Sequence, residues 1–151
     1  MIEIIRTSST NQDFMKLIKL LDADLAITDG DEHSFYNQFN KIDSIKHVVV
    51  LYENGIPVSC GSIKEATSKK MEVKRMYTRP ESRNRGLASL VLNELEAWTR
   101  EMTYDACILE TGKKQPHAIQ LYKKNGYELI PNYGQYQGIE NSLCFEKDLT
   151  I

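Results

Sequence analysis

Along this chain the spacing of apolar positions switches between a period of two and a period near 3.6, and the switches mark its elements. Ile2 to Arg6 reads as a first strand. Ser9 and Gln12 have capping-box spacing, and Phe14, Leu17, Ile18, Leu21 and Leu25 then share one face of a helix. Asp29-Gly30-Asp31 breaks that helix, and a short second helix is expected over Ser34 to Phe39. Ile45 to Tyr52 and Ile56 to Lys64 predict strands joined by Asn54-Gly55, a strong two-residue hairpin signal. Val73 to Thr78 alternates again, and Pro80 stops it. From Gly86 onward Leu87, Val91, Leu95, Trp98 and Met102 recur at helical spacing. Ala106 to Glu110 predicts a further strand. Pro116 suits the first turn of a helix bearing Ala118, Leu121 and Tyr122, which Asn125-Gly126 ends. Tyr127 to Ile130 and Leu143 to Lys147 complete the strands. Early hairpins followed by strand–helix–strand units predict a mixed α/β sheet with helices on its faces.

Composition narrows this picture without redirecting it. A chain of 151 residues with no repeat, linker or low-complexity segment is expected to be one domain, residues 1–151. A net charge of −2 gives no electrostatic reason to expect nucleic acid as the partner. The longest purely apolar run, Val48 to Leu51, is too short to span a membrane, and the N-terminus has no basic flank before an apolar stretch. Cys60, Cys107 and Cys144 are odd in number, widely spaced and set in apolar contexts, which predicts buried, reduced cysteines in a cytoplasmic protein. No Cys-x-x-Cys or His-x-x-x-His spacing suggests a metal.

Chemistry concentrates in Met71 to Ala88, a strand that runs through a basic turn into a helix. The first turn of that helix has amide N–H groups without intrahelical partners, and Arg83 and Arg85 flank them. Such a helix start suits a phosphate or pyrophosphate, and Gly86 lets a bulky anion approach the backbone. The nucleoside-triphosphate loop is excluded, since no Gly-Lys-Ser/Thr follows, and so is the Gly-x-Gly-x-x-Gly dinucleotide fingerprint. Arg75, Arg79, Arg83 and Arg85 converge on one turn instead of spreading into a nucleic-acid surface.

Arg83-x-x-Gly86-x-Ala88 resembles the Arg/Gln-x-x-Gly-x-Gly/Ala signature of the GCN5-related N-acetyltransferases. Ala118-Ile-Gln-Leu-Tyr-Lys-Lys-Asn-Gly-Tyr127 resembles that family's Ala-x-x-x-Tyr-x-x-x-Gly-Phe/Tyr region. The two motifs span roughly residues 71 to 127, and the order of elements carries the resemblance over the whole chain. It implies a mostly antiparallel twisted sheet of six to seven strands with about four helices. It also implies direct transfer of an acetyl group from acetyl-coenzyme A (acetyl-CoA) to the amine of a small molecule or an amino-terminal group, through a ternary complex and without a metal. The pyrophosphate would sit on the turn from Arg83 and Asn84 through Arg85, Gly86, Leu87, Ala88 and Ser89. The pantetheine would add to the strand edge at Met76, Tyr77 and Thr78, where relatives carry a bulge, and a backbone N–H near Met76 or Tyr77 would hold the oxyanion. Gln115 stands where many relatives have an asparagine that contacts the cofactor.

The resemblance makes Tyr122 the acid that protonates the departing thiolate, and Glu72 the base that takes the amine proton through water. Packing against Leu121 is the other role open to Tyr122, and a solvated strand end is the other one open to Glu72. Tyr133, Gln135 and Tyr136 form a loop suited to the acceptor or to packing on the sheet edge. Asp22, Asp24, Asp29, Asp31 and Glu32 would steer a cationic amine if they border the acceptor cleft. A coenzyme A-binding module without turnover is the competing function, and homodimers are common in the family.

Overall fold

Seven strands form one sheet in the order β1-β2-β3-β4-β5-β7-β6. A computed structural model describes residues 1–29 and 45–151. The strands are β1 (Ile2–Thr7), β2 (His47–Glu53), β3 (Ile56–Thr67), β4 (Lys70–Thr78), β5 (Ala106–Gly112), β6 (Glu128–Ile130) and β7 (Ser142–Asp148). The described helices are α1 (Gln12–Asp29), α2 (Leu87–Glu101) and α3 (Pro116–Lys124). Every neighbouring pair is antiparallel except β4 and β5. The helix expected over Ser34 to Phe39 lies outside the described residues. No described helix is long and apolar enough to cross a membrane.

Both faces of the central strands are covered, which explains the unbroken apolar run in β2. Val49 and Leu51 face α2, where Leu87, Val91, Leu92 and Leu95 complete the larger core. Val48 and Val50 point the other way, onto Phe14, Leu17 and Ile18 of α1. Asn54 (φ 52°) and Gly55 (φ 82°) both take the left-handed conformation that a two-residue hairpin needs. One detail departs from expectation. The side chain that caps α1 is Asn11, whose Oδ1 accepts the Phe14 N–H at 2.9 Å, and not Ser9. Asn11 sits closer to the first turn, and its carbonyl also accepts the Met15 N–H.

Midway along β4 the ladder to β3 is interrupted. Cys60 pairs with Tyr77 and Ser62 with Lys74, so two β4 residues, Arg75 and Met76, stand opposite Gly61 alone. Arg75 takes φ 60° there. Ser59 Oγ donates to the Tyr77 carbonyl at 3.0 Å and Ser62 Oγ to the Lys74 carbonyl at 2.8 Å, so hydroxyls on β3 satisfy carbonyls on both sides of the bulge. On the other side of β4, pairing with β5 covers only Lys70, Met71 and Glu72. Beyond Glu72↔Ile108 the two strands have no rungs, and a wedge opens between them.

Gly61 is where this arrangement is tightest. A Cβ there would lie 2.4 Å from Met76 Sδ, 2.9 Å from Leu95 Cδ1 and 3.1 Å from Val91 Cγ1. Gly61→Ala should therefore overpack the seam between bulge and α2 and cost about 1–3 kcal/mol. The urea midpoint should fall at unchanged m-value. An unchanged midpoint would show that Met76 moves aside freely.

Candidate active site

The wedge between β4 and β5 leads into two adjoining cavities. The outer one, about 700 Å³, runs from the start of α2 to α3 and is roofed by α1. The inner one, about 150 Å³, lies toward Glu72 and Glu110. Met76, Gln115, Ala118 and Tyr122 line both, together with Leu21 and Leu25 of α1.

The basic turn forms the mouth of the outer cavity. Pro80–Ser82 makes one 3-10 turn, and Asn84 (φ 64°) and Gly86 (φ 78°) then swing the chain into α2. Gly86 is the N-cap, and no side chain caps the helix, so the polarised amides of its first turn are left for a ligand. A Cβ on Gly86 would meet nothing within 4 Å, so the glycine answers to its positive φ and leaves open space above the backbone. Arg83, Asn84, Gly86, Leu87, Ala88 and Ser89 all line this cavity, as do Met76, Tyr77 and Thr78 of β4 and Gln115 before α3. Arg83 is held in place by its Nε donating to the Thr78 carbonyl at 2.8 Å, with its guanidinium 5.6 Å from the Tyr77 ring centre. Asn125 Nδ2 donates to Ser89 Oγ at 3.1 Å and so ties the end of α3 to the first turn of α2.

Arg85 departs from the rest. It turns away from both cavities and pairs with Glu53 at the end of β2, Nη1 donating to Oε1 at 2.8 Å. The arginines do not converge as their spacing suggests. Arg75 lines the inner cavity but pairs with Asp22 on α1, Arg79 Nε donates to the Pro57 carbonyl, and of the four Arg83 alone lines the outer cavity. The expected acidic rim is likewise partly spent. Asp22 binds Arg75 at 2.7 Å and Asp24 lies 3.5 Å from Arg83, while Asp31 and Glu32 lie outside the described residues.

Tyr122 stands where the cavities meet. It is 6% exposed and packs edge-on to Tyr127 and against Phe145. Burial, and secondarily the Glu110 carboxylate, push its phenol above its ordinary pKa, which keeps it protonated over a wide pH range. Glu72 lines the inner cavity, with its side chain 12% exposed. Its Oε2 accepts the Tyr133 hydroxyl at 2.6 Å and its Oε1 lies 3.8 Å from Lys74 Nζ. Tyr136, 2% exposed, lines the same cavity and meets Tyr133 edge to face.

Sequence reasoning missed Lys74, Glu110 and Thr111, all of which line the inner cavity. Lys74 follows Glu72 by two residues on one strand, so alternation alone could have put both on one face. The three cysteines are buried and unpaired. Burial pushes the Cys60 thiol up to about 12 and the Cys107 thiol up to about 11, which suits inert packing groups.

A chain with this bulged sheet, open wedge and uncapped helix start belongs to the acetyltransferase (GNAT) family, whose model matches residues 14–127. It is an acetyl-CoA-dependent N-acetyltransferase. A Klebsiella pneumoniae subsp. pneumoniae protein described as an acyl-CoA N-acyltransferase superposes with a TM-score of 0.83 at 31% identity, covering 99% of this chain and 98% of that one. The IAA acetyltransferase of Azospirillum brasilense is 34% identical over 102 residues, 67% of each chain. The PaiA N-acetyltransferase of Thermoplasma acidophilum, solved in complex with coenzyme A, shares the fold at 18% identity and a TM-score of 0.73, with 98% and 99% covered.

If the turn holds the pyrophosphate, acetyl-CoA at a hundredfold excess over its dissociation constant should stabilise the fold by about 2.7 kcal/mol. Gly86→Val puts a β-branched residue at positive φ and should abolish the thermal shift while leaving the rest of the fold intact. A variant with an undiminished shift would remove this turn from the cofactor site.

Proposed function

We propose that acetyl-CoA lies with its pyrophosphate on the first turn of α2 and its pantetheine along the free side of β4. The acetyl group then faces the junction of the two cavities. One observation carries this reading: the β4–β5 ladder stops at Glu72, and the edge it leaves runs from the uncapped start of α2 to Tyr122. Met76, Tyr77 and Thr78 offer main-chain groups to the pantetheine, and Gln115 offers an amide from the far wall. Arg83, already fixed by Thr78, supplies positive charge at the mouth with little ordering left to lose. Arg85 contributes through its pairing with Glu53, which steadies the turn, and the amides of Asn84 to Ser89 make the closer contacts.

The acceptor amine enters from the inner cavity. An alkylamine is mostly protonated at neutral pH, since its ordinary pKa is about 10.4, so a group must take its proton. Glu72 does this through water, held by the Tyr133 hydroxyl. A backbone N–H at Met76 or Tyr77, presented by the bulge, stabilises the oxyanion as the amine attacks the thioester carbon. The carbon–sulfur bond breaks as the amide forms, and Tyr122 gives its proton to the thiolate. A phenol is suited to that task, because it stays protonated until charge develops on sulfur. The location we infer is cytoplasmic, in keeping with three buried, unpaired cysteines.

Release of free thiol from acetyl-CoA over a panel of amines tests the reading as a whole. Tyr122→Phe removes one hydroxyl and should preserve the acetyl-CoA thermal shift while turnover falls by roughly 10²–10⁴-fold where chemistry limits the rate. Unchanged turnover would return Tyr122 to the core.

Glu72→Gln keeps shape and loses basicity, so its pH–rate profile is the discriminating measurement. Turnover should be slow near neutrality and should recover as rising pH supplies free amine. A wild-type profile would show that another group takes the proton. Uniform loss across pH would mean that Glu72 acts on the acceptor by charge alone.

A further inference from the structure

The inner cavity contains a buried cation that nothing in the mechanism uses. The Lys74 side chain is 93% buried, its relative exposure being 7%. Among the described residues, the polar contact of its ammonium is Glu72 Oε1 at 3.8 Å, beyond hydrogen-bonding distance. Burial outweighs the neighbouring carboxylates and lowers its pKa. An ammonium has three N–H donors, and on a mostly buried cavity wall a ligand group that accepts from them is favoured. Arg75, the other cation lining this cavity, already has its match in Asp22.

The wall also carries Glu72 and Glu110, so both signs of charge line a space of only about 150 Å³. A plain diamine would push an ammonium against Lys74. A dicarboxylate would push one against Glu72 or Glu110. A ligand with one group of each sign meets neither penalty. The volume suits a molecule of amino-acid size, well below the pockets that hold drug-sized ligands.

We propose that the acceptor is a small amino carboxylate, its amine directed to the junction at Tyr122 and its carboxylate seated on Lys74. The inference rests on the acetyltransferase reading above and names the substrate class of that same site. The carboxylate gives the Lys74 donors acceptors at hydrogen-bonding distance, and Glu72 and Glu110 on the same wall offer the amine its counter-charge. Gln115, Thr111 and Tyr136 add neutral polar contacts around it.

The test compares matched acceptors: amino acids, their decarboxylated amines and their carboxamides, with free thiol as the readout. Several amino acids should be acetylated, and removing or amidating the carboxylate should raise KM by roughly 10–100-fold, the range for losing a charge-assisted hydrogen bond. Lys74→Met should produce the same rise for the amino acid and a much smaller one for the decarboxylated amine. It should also keep the acetyl-CoA thermal shift, which confirms folding, because Lys74 does not line the outer cavity. Decarboxylated amines used as well as their parents, amino acids left unmodified, or an unchanged KM in Lys74→Met would each overturn the proposal. Loss of the acetyl-CoA thermal shift in the wild-type protein would instead overturn the cofactor assignment on which it stands.

Discussion

Three parallel rungs between β4 and β5 are the constraint on which the rest of the molecule depends. A sheet normally continues its ladder, because unpaired backbone groups are expensive to bury. Here β4 bends away after Glu72, and the bend is made by the bulge at Arg75 and Met76. Several small adjustments make the bulge tolerable. Gly61 leaves room for Met76, Ser59 and Ser62 hydroxyls replace lost ladder partners, and Asp22 matches the Arg75 guanidinium. An arginine at φ 60° carries a backbone cost of about 1–2 kcal/mol, and the ion pair sits where it can offset that. The result is a strand edge inside the protein that lines the outer cavity.

The two faces of the sheet divide the labour. Toward α2 the lining is mostly apolar, and its buried polar groups are matched: Glu96 by the Tyr127 hydroxyl and Lys147, and Thr99 by the Leu95 carbonyl. Toward the inner cavity the same strands present Glu72, Lys74, Arg75 and Glu110. Period-two alternation makes this possible, since Met71 and Val73 bury in the core while Glu72 and Lys74 point the opposite way. A buried core and a charged cavity wall are thus presented by opposite faces of a single strand.

Much of this was legible in the sequence. The hairpin at Asn54-Gly55, the stop at Pro80, the glycine opening α2 and the α3 stripe ending at Gly126 each have a local physical cause, and local causes can be read one residue at a time. The family motifs named most residues of the outer cavity because cofactor recognition uses backbone groups at a fixed turn. The inner cavity was harder. Lys74 looks like any strand lysine until β5 and α1 are seen to cover it, and Gly61 looks like an ordinary strand glycine until Met76 is placed opposite. Arg85 stands off the cavity lining for a related reason. Its partner, Glu53, is 32 residues away, and no local pattern announces that pairing. The acidic residues of α1 show the same limit, since Asp22 and Asp24 have arginine partners on β4 and on the basic turn, far away in the chain.

The wedge also has a mechanical meaning. With only three rungs across the β4–β5 seam, the sheet behaves as two blades, β1 to β4 and β5 with β7 and β6, bridged mainly by α2 and its apolar underside. A ligand laid along β4 and braced against Gln115 and α3 would add a strut across that seam. Occupancy would then change the stiffness of the whole sheet as well as the chemistry of its cleft, and amide exchange in β4 and β5 would slow together.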